Sequence, residues 1–124
     1  MKFIKQSVVI LFLSLSLSCH AELSYDYLME HPKVLSDQYK QCETEATTAC
    51  DTVRRAAYDF DALIQTQNQD PEGFGREVMD EQTQLVALKK AYETEKTSTT
   101  KQAYEDQRAK LRQLYAVIAL RTPE

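Results

Sequence analysis

Residues 85–114 read LVALKKAYETEKTSTTKQAYEDQRAKLRQL, and this stretch decides the fold. Leu85 and Tyr92 lie seven apart in its first half, Val78 extends the row one heptad back, and Leu88 sits between. Tyr104 and Leu111 repeat the spacing in the second half, Ile118 continues it, and Leu114 sits between. Apolar residues three, four and seven apart share one helix face, so each half predicts an amphipathic helix. Thr97-Ser98-Thr99-Thr100 interrupts both rows with a short polar link. Matching stripes on either side of such a link predict an antiparallel hairpin over 71–121. In it Val78, Leu85, Leu88 and Tyr92 face Tyr104, Leu111, Leu114 and Ile118. One helix running straight through the Thr-rich segment is the alternative. Asp106 and Lys110 are expected to pair on the outer face of the last helix.

Working back towards the N-terminus, the segment 67–72 (Gln-Asn-Gln-Asp-Pro-Glu) predicts a turn and a helix start, with Asp70 as N-cap and Pro71 at the first helical position. Acidic Asp70 and Glu72 suit the positive end of a helix dipole. Both glycines of the chain follow, flanking Phe74. The favoured reading of Gly73-Phe74-Gly75 is a slow helix start. The functional reading is bare backbone with Phe74 exposed to a partner. Upstream, Cys50, Val53, Ala57, Phe60 and Ile64 form a stripe, and Thr47 or Thr48 is the expected cap of their helix. Leu35, Tyr39 and Cys42 share a face of a preceding helix that Pro32 opens. That proline also disfavours helical geometry at His31, so a first short helix capped by Ser24 ends there. No segment alternates with period two, there is no Trp, and helix-favouring residues dominate. The fold class is therefore all-α: a small disulfide-stapled helical domain with a long C-terminal antiparallel helical hairpin. Residues 22–67 form the stapled segment, and residues 68–124 the hairpin packed on it as one domain.

The first 21 residues have the form of a secretion signal. Lys2 and Lys5 are its positive end, Val8 to Leu17 is an uncharged, largely apolar run, and Cys19-His20-Ala21 is a small-residue exit. The run is too short to span a bilayer, which takes about 20 residues. Cleavage after Ala21 is preferred. The alternative is acylation of Cys19, for which Ser18 fits and Ser16 stands where a lipoprotein signal carries a branched residue; an acyl chain is then the only membrane contact. Cleavage removes two lysines and no acid, so 15 Lys and Arg against 19 Asp and Glu become 13 against 19, a net charge of −6. An acidic chain without a basic cluster is a poor partner for nucleic acid or anionic lipid. Export to the periplasm, the outer membrane or the exterior also sets the redox context. There Cys42 and Cys50, with seven residues between them, favour a disulfide. Closing that loop is worth about 2–3 kcal/mol.

Catalytic chemistry finds little to stand on. His31 is the one histidine beyond the signal, and nothing in the sequence places Ser36 or Ser98 beside it as a triad. The carboxylates, such as Glu43 with Glu45 and Asp80 with Glu81, read as solvated surface. Two cysteines and one histidine fall short of the four ligands of a zinc site, and neither a phosphate-binding glycine loop nor an EF-hand spacing occurs. The expectation is no enzyme, no cofactor and no metal. Seven tyrosines, all beyond the signal, read first as core and rim and second as interface.

One stretch is more specific. Tyr27-x-x-x-His31-Pro32-x-x-Leu35, then Cys42, then Cys50-Asp51-Thr52-Val53, resembles the EexN-like entry-exclusion lipoprotein family over about residues 25–57. The resemblance implies a short exported helical protein of conjugative type IV secretion gene clusters, acylated at Cys19. Its role there is to block redundant DNA transfer by contact with an envelope protein of the transfer machinery. It points to Tyr27, His31 and Pro32 as interaction residues and leaves residues 70–124 without a role. The alternatives are a secreted helical adaptor or effector with no exclusion role, and an envelope-stress or metal-responsive periplasmic protein. The sequence leaves the oligomeric state open.

Overall fold

The computed structural model describes residues 23–121, so the signal segment and Cys19 lie outside the described residues. Five helices follow one another: α1 (Tyr25–Glu30), α2 (Pro32–Thr44), α3 (Cys50–Gln69), α4 (Pro71–Glu95) and α5 (Ser98–Arg121). No strand occurs among the described residues. The all-α, disulfide-stapled architecture with a C-terminal hairpin is the one the sequence predicts.

Local chemistry sets the boundaries. The Ser24 hydroxyl accepts from the Tyr27 N–H at 3.1 Å and caps α1. His31, held at φ −129° and ψ 75° ahead of Pro32, ends α1 and precedes α2. Asp70 alone separates α3 from α4: its N–H donates to the Thr66 carbonyl at 3.0 Å, and its carboxylate accepts from Gly73 N–H at 2.9 Å. The expected turn from Gln67 is therefore shorter than predicted, because one Asx residue serves both helix ends, and the expected segment boundary at 67/68 falls inside α3. A Cβ on Gly73 would lie 2.1 Å from the Asp70 carboxylate oxygen. Gly73 thus makes room for the cap, while Gly75 has open space around it.

Two other expectations about caps change. Neither Thr47 nor Thr48 caps α3; Ala49 precedes it without a side-chain bond, and the Thr47 hydroxyl instead lies 3.5 Å from Cys50 Sγ. The hairpin link is also tighter than the Thr-rich segment suggests. Lys96, at φ 49°, turns the chain in the left-handed region, and α5 already begins at Ser98. Thr97 and Thr100 exchange reciprocal bonds, each hydroxyl accepting from the other's N–H at 3.1 and 3.2 Å. This capping box lets half of the predicted link become helix.

The core joins all five helices: Leu28 and Met29 of α1, Leu35 of α2, Val53, Ala56 and Phe60 of α3, Phe74 and Val78 of α4, and Leu111, Leu114 and Val117 of α5. The hairpin seam follows the heptads, with Leu85 half-buried and Tyr92 stacked on Tyr104 at a centroid distance of 6.1 Å, except that at the end of α5 Val117 takes the buried place expected of Ile118, which is only partly buried. A polar layer crosses it: the buried Glu81 carboxylate accepts from Lys110 Nζ and Gln107 Nε2. The Lys110 ammonium holds the Glu81 carboxyl below the usual carboxylate range, against its burial. Lys110 therefore does not pair with Asp106, which accepts from Gln102 at 2.7 Å. Cys42 and Cys50 form a disulfide with a Cα separation of 5.7 Å, tying the end of α2 to the start of α3.

Candidate functional site

The resemblance residues build a surface corner where α1 meets α2. Tyr27 and His31 are four apart, so their rings fall on one side of the first turn. They stack at 4.0 Å with planes 19° apart. Because the Tyr27 carbonyl only accepts, His31 Nδ1 donates to it at 2.7 Å and carries the ring proton there. Both side chains remain exposed. Pro32, beside them, is the first residue of α2.

The corner is fixed from beneath. Leu28 and Met29 are 0% and 1% exposed, so α1 cannot shift without opening the core. Glu30 pairs with Arg112 of α5, and Gln113 Nε2 donates to Asp26 at 3.1 Å. On the α3 side, the Tyr25 hydroxyl donates to Asp59 Oδ2 at 2.6 Å, and the Arg55 guanidinium lies 4.6 Å from the Tyr25 ring centroid. Burial of the phenol, reinforced by the Asp59 carboxylate, pushes its pKa up to about 12.

Two clefts open beside the corner. One, of about 420 Å³, lies between α2, α3 and the end of α5. The other, of about 330 Å³, lies between the start of α2 and the end of α5. Pro32, Lys33 and Leu120 line both, and His31 lines the second. Their walls are chiefly apolar, so they suit side chains of another molecule better than a polar substrate.

Tyr27, His31 and Pro32 thus stand together on the surface. Gly73-Phe74-Gly75 is the helix start that the favoured reading describes; Phe74 is 2% exposed and part of the core, which corrects the second reading, in which it was an exposed interaction residue. Its helical spacing to Val78 was the signal that marks it as core. The disulfide closes the opposite end of α2 from Pro32. Sequence reasoning missed Leu120, 49% exposed, and its neighbours Ala116 and Ala119. Their i, i+3, i+4 spacing forms a second apolar row on α5 beside the heptad row.

Among the described residues, no group of three or more His, Cys, Asp or Glu side chains is placed to hold a metal ion. No described helix is long and apolar enough to cross a membrane. Compared with protein-family models, with curated proteins and with solved structures, the chain has no match.

Proposed function

We propose that this protein is an envelope-localised, non-enzymatic interaction protein that acts as entry-exclusion lipoproteins do, by contact with an envelope component of a conjugative type IV secretion system. One observation carries the reading. The Tyr-x-x-x-His-Pro residues of the resemblance form a rigid, solvent-facing corner, with Tyr27 stacked on His31 and both exposed. Exposed aromatic area on a rigid frame is what a protein contact uses. Export by the segment before Leu23, with cleavage after Ala21 or acylation at Cys19, belongs to the same proposal.

Recipient cells expressing the protein should take up type IV conjugative elements less often than cells without it. Replacing Tyr27 and His31 together by Ala should restore transfer while protein level and melting temperature stay unchanged. Undiminished transfer across a panel of such elements overturns the reading. Labelling with a fatty-acid analogue, lost in Cys19→Ser, distinguishes an anchored from a released form.

The second reading is a secreted helical adaptor or effector without an exclusion role. Ser16, at the position where an acylation signal carries a branched residue, favours it. Release of the chain into the medium, with no fatty-acid label, is its expected signature.

A further inference from the structure

Residues 36–49, the last part of α2 and the loop into α3, are held by one covalent bond and little else. None of them is buried. Leu35 is the one buried residue of α2, and it precedes this segment. Of the segment's apolar side chains, only Cys42 packs against the core cluster. Among the described residues, no hydrogen bond or ion pair joins a side chain of 36–44 to another helix; the Thr44 hydroxyl donates to the Gln41 carbonyl of its own helix at 3.0 Å. The shorter α1 has three such ties, Tyr25 to Asp59, Asp26 to Gln113 and Glu30 to Arg112. What α2 has instead is the bond from Cys42 to Cys50.

The two sulfurs are not equivalent. Cys42 is partly exposed, whereas Cys50 is 1% exposed. A reductant therefore meets Cys42 first. Cys50 is the first residue of α3, so a thiolate left there faces the positive end of that helix. The Thr47 hydroxyl, 3.5 Å from its sulfur, can donate to it. Both groups oppose the cost of leaving a charge at a buried sulfur. Asp51, the next residue, is exposed and paired with Arg54 at 3.6 Å. Attack at an accessible sulfur, with a stabilised thiolate leaving, is what makes a disulfide easy to reduce.

We propose that the Cys42–Cys50 bond is a redox switch: a dithiol reductant opens it in the folded protein and releases residues 36–49 from α3, while Leu35 keeps the start of α2 in place. In the exchange, a thiolate of the dithiol attacks Cys42 Sγ. The S–S bond breaks, and its electron pair leaves on Cys50 Sγ, which takes up a proton. The second thiol of the dithiol, giving up its proton, then attacks the reductant sulfur bound to Cys42 and displaces the Cys42 thiolate, which is protonated in turn. The protein gains two electrons and two protons, and the dithiol becomes a disulfide.

Freed at Cys42, the rest of α2 is shorter than the roughly 12 residues that an isolated helix needs to be even marginally stable. It also buries nothing to offset its conformational entropy. Ser36 and Tyr39 line the cleft of about 420 Å³ together with Ala57, Phe60 and Ile64 of α3. Release takes the α2 wall away and bares that row of α3, while His31 and Pro32 stay where Leu35 fixes them. Reduction thus opens the cleft beside the corner without moving the corner. The switch does not rest on the role proposed above.

Limited trypsin digestion of the purified protein, with and without dithiothreitol, tests this. Lys40 is the one trypsin site within 36–49, and Lys89 and Lys90 on α4 serve as internal references. Reduction without denaturant should expose both thiols to alkylation and leave a cooperative melt. Cutting at Lys40 should speed up at least tenfold more than cutting at Lys89 or Lys90. The double variant Cys42→Ser, Cys50→Ser should behave as the reduced parent does, with or without dithiothreitol. A bond that dithiothreitol opens only in denaturant overturns the proposal. So does an unchanged rate at Lys40, because packing alone then holds α2. Equal acceleration at all three lysines, or loss of the cooperative melt on reduction, overturns it in favour of a staple for the whole fold.

Discussion

Truncating Leu111 to Ala tests whether the heptad seam holds the molecule together. Leu111 is 3% exposed and belongs to the core cluster that joins all five helices. The substitution deletes three carbon atoms, worth about 2.4 kcal/mol at about 0.8 kcal/mol each. A cavity adds to this, and the Leu→Ala range reaches about 5 kcal/mol where surroundings cannot collapse. Here they can: Leu111 also lines the cleft beside Val86 and Tyr115, so water reaches the vacated space. The cost should therefore lie near the transfer value, about 2–3 kcal/mol. For a domain of this size that lowers the melting temperature by roughly 10 °C or more. Urea titration followed by far-UV circular dichroism measures it, with sedimentation at the same concentration. A loss below about 1 kcal/mol would refute the closed hairpin, as would a Leu111-dependent dimer, because either means that the seam is not buried within one chain.

The Cys42–Cys50 bond should leave no thiol at those positions open to alkylation without reductant, and reduction should cost about 2–3 kcal/mol; full labelling of both by mass analysis counts against it. The Tyr25 phenol gives the fold a dependence on alkaline pH. Its folded pKa, pushed to about 12, exceeds the ordinary 10.0, so its contribution is complete below pH 10 and is lost as pH rises towards 12. Between pH 9 and 11.5 the parent should lose more stability than Tyr25→Phe, and equal losses would mean that the Asp59 contact is not formed.

The hairpin was legible because a seam between neighbouring helices is written at constant spacing within each. The helix boundaries at Ser24, His31 and Asp70 were legible because capping is a matter of adjacent residues. The polar layer was not. Glu81, Gln107 and Lys110 look like solvated surface until two helices bring them together, and a salt pair read within α5 turned out to reach across to α4. The second reading of Phe74 failed for a similar reason: flanking glycines suggest exposure, and only packing against the other helices decides it. The candidate site was half visible. Tyr27, His31 and Pro32 stood out as a motif, whereas the clefts need the start of α2 and the end of α5 side by side, which no local pattern states.

The docking of α1 on α5 has a consequence for how the chain is made. The pairs Glu30–Arg112 and Asp26–Gln113 join residues 82 and 87 apart. At about 5–20 residues per second, the last helix follows the first from the ribosome by roughly 4–17 s. Throughout that interval Leu28 and Met29, sealed in the finished core, have nothing to close against on the α5 side. The α5 side of that core is therefore the last to close, and it closes only once the end of the chain has been made.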